Sequence, residues 1–284
     1  MKKIPILLVM VITMLIASCN EVSEKEPQVV NSYDFVGQLH NRGLDYVFKK
    51  VTRGGNIELT ENEFEELCME YVQQVLQEEE ILDISDYYQT NIEQEMHDAF
   101  EAAIDWAEAN LNEDELEEDN LSELIDSLDV DSSVKNEIQE IISNIQLLPA
   151  SFLSTYMSNK ENEICMSADY DDVEKAMILS IVSIGKYSSD YWEDTIISSG
   201  LSSRHIVKAD AVGAVRGIWR GRLVIGFCSM VGGPASGGAA ALRYALLEGF
   251  IASAAYAFIE SNIGNGNNST FPEVPDDGLP LIIP

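Results

Sequence analysis

The feature that most constrains this chain is a pair of small-residue ladders near its C-terminus. Ala209, Gly213, Gly217 and Gly221 recur at every fourth position. Gly237, Ala241, Ala245, Gly249, Ser253 and Ala257 repeat the step after a break at Gly232-Gly233-Pro234. With 3.6 residues per turn, a four-residue step keeps such positions on one slowly drifting stripe of a helix. A stripe nearly free of side chains admits another backbone at close range. Glycine costs about 1 kcal/mol against alanine inside a helix, so close contact has to offset a local penalty. Residues 205–260 are therefore expected to form a tightly packed helical hairpin that turns at Gly-Gly-Pro.

Whether that hairpin belongs in water or lipid follows from its length and charges. Each arm has roughly ten uncharged residues beside the turn, ~15 Å of helix against a hydrocarbon core of ~30 Å. Spanning would carry Arg216, Arg220 or Arg222, with Arg243 and Glu248, into lipid at about 2.5–3.5 kcal/mol each. The expectation is a soluble core around which the other helices wrap. The hairpin is also similar to glycine-zipper segments of two-peptide bacteriocins and other membrane-active helices, from which its mid-span arginines depart. That resemblance implies an alternative, a membrane-active or toxin-like protein whose hairpin inserts.

At the other end, Lys2 and Lys3 precede an uncharged apolar run that closes in Leu15-Ile16-Ala17-Ser18-Cys19. A short basic segment, a brief apolar stretch and small residues before a cut form a secretory signal. Leu/Ile-Ala-Ser-Cys resembles the lipobox of bacterial lipoproteins. The resemblance implies removal of residues 1–18, acylation of Cys19 and attachment of the protein to a membrane of the bacterial cell envelope, on its periplasmic face or at the cell surface. Residues 19–31 are polar and lack helical period. As a flexible tether they would hold the rest ~20 Å from the membrane.

Charge divides what lies between. The chain carries a net charge of −32, and between Arg53 and Lys135 there are 27 acidic residues and no Lys or Arg. Such a surface excludes binding of nucleic acid, or of an anionic membrane, through the bulk of the protein. It reads as solvated helix faces, with docking of a cationic protein partner or collection of divalent ions as the functional alternatives.

Residues 32–204 show helical spacing of apolar residues and no sustained alternation of period two, so the fold class is all-α. Helices are expected over 33–51, 60–75, 87–110 and 132–147, with Thr60 and Glu63 as a capping box. Asn112 is expected to open a further helix reaching Leu128. Pro149 is expected to start a short segment ending at Met157, followed by a polar loop over 158–163. Ser167 is expected to cap the next helix, which either continues through Ser188-Ser189 or breaks there. Residues 261–284, rich in Asn, Gly and Pro, read as an irregular tail.

No motif in the chain carries chemistry. Asp129, Asp131 and Ser133 are spaced like calcium-loop ligands, but Val134 stands where such a loop needs glycine. The glycines at 232–238 lack the Lys-Ser/Thr of a phosphate loop. His40, His97 and His205 have no second ligand at zinc spacing. No G-x-S-x-G occurs. Besides Cys19, the odd set Cys68, Cys165 and Cys228 reads as buried small hydrophobes, ahead of one disulfide with a free thiol or a nucleophile. The stretch Gln38 to Tyr46 is similar to N-terminal segments of uncharacterised bacterial secreted proteins and lipoproteins, which implies no chemistry. Within it His40 reads as a histidine that positions its helix, with a ligand or catalytic role as the alternative. The expectation is a non-enzymatic interaction module without cofactor or metal.

Overall fold

The computed structural model describes residues 31–53, 59–78, 86–110, 119–199, 203–232 and 234–263. Cys19, the signal segment, the tether up to 30 and the tail from 264 lie outside them. Among the described residues there are nine helices and no strand: α1 (Asp34–Arg53), α2 (Glu61–Glu78), α3 (Asp86–Asn110), α4 (Asp119–Asp126), α5 (Ser132–Leu147), α6 (Ala150–Met166), α7 (Asp172–Ser199), α8 (Ser203–Gly232) and α9 (Pro234–Ile263).

The two C-terminal helices form the hairpin, and α9 is its most enclosed member. It packs on α8 along its length and also touches α1, α2, α3 and α7. Ala240–Ser261 is apolar enough to cross a membrane by composition, with mean hydropathy 1.3, yet it is wholly buried inside the protein. The amphipathic helices supply its cover. Their buried apolar residues include Val36, Leu44, Val47 and Phe48 of α1, Phe64, Tyr71 and Val72 of α2, and Met96, Phe100 and Ala107 of α3. Aromatic contacts fix the seams: Phe64 stacks on Phe258 at 4.5 Å, and Tyr71 meets Phe250 edge-on at 4.9 Å.

A Cβ on Gly213 would stand 2.5 Å from the Glu248 carbonyl oxygen and 2.6 Å from the Ala252 Cβ, and one on Gly217 would overlap the Tyr244 carbonyl. The first ladder thus presses on the backbone of 244–252. A Cβ on Gly249, in the second ladder, would meet Ile184 of α7 at 3.1 Å and the Asp210 carbonyl of α8 at 3.3 Å. At this position the second ladder serves the seam with α7 as well as that with α8.

Local signals hold where they satisfy helix ends. Thr60 and Glu63 form the reciprocal capping box, with the Thr60 backbone N–H donating to the Glu63 carboxylate at 2.8 Å and the Glu63 N–H to the Thr60 hydroxyl at 3.3 Å. Helix α5 runs over the expected residues, buries Val134, Ile138, Ile141, Ile142 and Ile145, and stops before Pro149.

Three expectations are corrected and one open alternative is decided. The stretch 158–163 is the interior of α6, not a loop: it holds no Gly or Pro, and Lys160 is buried there against Glu137 of α5 at 2.7 Å. Asp171, not Ser167, caps α7; its carboxylate accepts from the backbone N–H groups of Val173 and Glu174, both at 2.8 Å, and Glu174 completes a capping box. Of the two alternatives at Ser188-Ser189 the helix continues: α7 passes through unbroken, with Ser189 donating to the Lys186 carbonyl within the helix and Ser188 to Asp210. Residues 261–263 belong to α9 rather than to the tail. For the helix expected from Asn112, only α4 falls in the described residues.

Candidate functional site

Polar groups inside an apolar hairpin are expensive unless paired, so each one marks a place where the sequence accepts a cost. Two buried sets and one surface groove stand out.

The first set sits where α1, α7 and α8 meet. Asp210, His40 and Ser188 are all fully buried. Ser188 donates to Asp210 Oδ2, and His40 Nε2 stands 3.5 Å from the same oxygen, the spacing of a charge pair rather than of a hydrogen bond. The other ring nitrogen, Nδ1, pairs with the Asn41 side-chain Oδ1 at 3.0 Å, and Asn41 Nδ2 donates to the Tyr187 backbone carbonyl at 2.8 Å. The order is serine, carboxylate, imidazole. A nucleophilic relay needs imidazole between the other two, to take the hydroxyl proton. This geometry therefore joins three helices and does not activate Ser188. The His40 ring faces Asp210 of α8, a neighbour that nothing local in the sequence points to.

The second set crosses the hairpin. Arg220 Nε lies 2.8 Å from Glu248 Oε1, and Glu248 is 3% exposed. Burial pushes the Glu248 carboxyl up to about 8, against the opposing pull of Arg220 and Arg216. Arg216 lies over the Trp106 ring of α3, 5.7 Å from its centroid, and burial lowers its pKa. Arg220 and Arg216 thus find polar and aromatic partners within the hairpin and on α3. The turn could have located the pair: Arg220 lies thirteen residues before Gly233 and Glu248 fifteen after it, so folding the arms brings them within a turn.

A raised folded-state pKa on an acid has a definite sign. The folded protein holds the Glu248 proton between about 4.5 and about 8 while the unfolded chain releases it, so this group's contribution to stability is present below 4.5 and is lost as pH rises through 8. The unfolding free energy of wild type, relative to that of Glu248→Gln, is expected to fall over this window. Urea titrations at intervals from pH 5 to pH 9 measure it. A difference that stays flat would mean that Arg220 keeps the carboxylate ionised throughout.

Scarce cations are placed at helix junctions. Lys160 meets Glu137 at 2.7 Å, Glu140 at 2.9 Å and Glu163 at 3.4 Å, joining α6 to α5. Lys186 reaches Asp34 at 2.9 Å and Glu161 at 3.0 Å, joining α7 to α1 and α6, and Lys50 pairs with Glu70 between α1 and α2. Most acids of the wrapper are left facing water, as the sequence suggests. Cys68 is buried and its thiol pushed up by desolvation, whereas Cys165 is only half-buried; both are free. The Cys228 side chain lies outside the description. Among the described residues no three His, Cys, Asp or Glu side chains converge as metal ligands.

The groove, of about 810 Å³, opens between the α4–α5 loop, the α6–α7 loop and the second half of α8. Asp129 and Asp131 stand on one wall and Asp169 and Asp171 on another, while Val130, Val173 and the Tyr170 ring, all half-buried, form an apolar floor above the buried Met177, Ile218 and Ile225. Arg222 lines it too, but its guanidinium stacks on Trp219 at 3.9 Å and donates to the Trp219 carbonyl at 2.7 Å.

No family model matches this chain, and neither a curated protein nor a solved structure matches it.

Proposed function

We propose that the chain is a lipid-anchored, non-enzymatic interaction module of the bacterial envelope. Cys19 is its attachment point, the hairpin its internal scaffold and the acidic exterior, including the helices within 54–134, the surface it presents to a cationic protein. The observation that carries this reading is the enclosure of the hairpin. Its apolar arms are covered by the acidic helices and its central polar pair, Arg220 with Glu248, is closed internally. An inserting hairpin would need its apolar faces free and its charges removed. What remains for recognition is the uncompensated acidic surface.

Two measurements on the whole protein test this. Radiolabelled palmitate is expected on the wild-type chain and absent from Cys19→Ser, which should also leave the membrane fraction. Dye-loaded vesicles are expected to stay intact when the protein is added. Dye release would overturn the reading in favour of the inserting hairpin, and labelling that survives Cys19→Ser would remove the anchor.

A further inference from the structure

We propose that the groove between the α4–α5 and α6–α7 loops docks a short peptide segment of a partner protein that is both cationic and apolar. This rests on the interaction-module reading and gives that surface a place. The volume of about 810 Å³ lies in the range of pockets that bury most of a compact ligand. Two chemistries meet in it. The floor, formed by the half-buried Val130, Val173 and the Tyr170 ring, asks for apolar side chains, since water against it gains nothing. The walls ask for positive charge.

The wall carboxylates are not equally available. Asp171 and Glu174 are committed to capping α7, each accepting backbone N–H groups there. Asp129, Asp131 and Asp169 are exposed and enter no ion pair among the described residues. Arg222, the cation lining this groove, is held by Trp219 instead of by them. Three uncommitted carboxylates around an apolar floor complement a segment with one or two Lys or Arg side chains flanked by leucine-like residues. A hydrophilic polycation would satisfy the walls and leave the floor uncovered. The acidic faces of α2 and α3 offer the opposite case, charge over a convex helix surface.

The test titrates the purified full chain into dansyl-labelled short peptides, read by fluorescence anisotropy. One peptide combines leucines with two lysines; a second replaces its leucines by serines at equal charge; spermine serves as a competitor. The leucine–lysine peptide is expected to bind at least about tenfold more tightly than the serine–lysine peptide. D129N/D131N/D169N is expected to weaken it by roughly five- to tenfold, and E101Q/D105N/E108Q, which removes the same charge from the exposed face of α3, by less than about twofold. Val130→Lys, a loop substitution that brings a competing cation into the groove, is expected to weaken binding as well. Circular dichroism checks that each variant is folded.

Equal losses in the two charge variants, or displacement by spermine as effective as by the leucine–lysine peptide, would overturn the proposal and reduce the effect to general electrostatics. Absence of peptide binding would overturn it too, while leaving the palmitate and vesicle results of the broader reading standing. Dye release from vesicles would refute that broader reading whatever the groove does.

Discussion

Gly217→Ala is expected to destabilise the protein by about 1–3 kcal/mol, although the same change on an exposed helix face would stabilise it by about 1 kcal/mol. The added methyl would overlap the Tyr244 carbonyl, which is backbone and cannot rotate away. Nor can α9 retreat as a body, because α1, α3 and α7 close its other sides. Gly185→Ala is the matched control. There the new methyl would meet the Met157 Cε at 3.0 Å, the far end of an adaptable side chain. Its stability is expected within about 0.5 kcal/mol of wild type. Urea unfolding followed by circular dichroism decides between them. If Gly217→Ala were as stable as wild type, the arms could not be in contact at Tyr244.

Arg220→Ala is expected to cost about 3–5 kcal/mol at pH 9, where it leaves the Glu248 carboxylate buried without its partner. At pH 6 the carboxyl carries its proton and the cost is expected to be clearly smaller. Arg220→Met combined with Glu248→Gln removes charge from both members and is expected to recover most of the loss. The same unfolding measurement at the two pH values reads all three variants. A cost for Arg220→Ala that did not change with pH would show that lost packing of the arginine stem, not its charge, sets the penalty.

Much of this architecture is legible in the sequence because it is written in short-range terms. The ladder of Gly213, Gly217 and Gly221 announces a close helix contact, the Thr60–Glu63 pair marks a helix start, and the five apolar positions of α5 give its buried face outright. The errors are also short-range in origin. A run such as 158–163 reads as loop because polarity resembles exposure, whereas Lys160 is buried and its charge is answered by Glu137 of another helix. Contacts between distant residues leave no such trace. Nothing near His40 points to Asp210, and nothing near Asp129 points to Asp169, so neither the buried triple junction nor the groove is visible until the helices are placed.

The position of α9 has a consequence for how the chain comes to be folded. This helix, 30 residues long, lies at the C-terminal end of the described fold, and α1, α2, α3, α7 and α8 all bury apolar faces against it. A polypeptide emerging from the ribosome N-terminus first presents those helices before their common partner exists. Contacts between α1 and α9 close a loop of most of the chain, and such closures come late. Helices α1 and α6 pack on α7 without α9, but the faces that α1, α7 and their neighbours turn toward it stay uncovered until it joins. The order of elements along the chain thus leaves the closing step of this fold to α9.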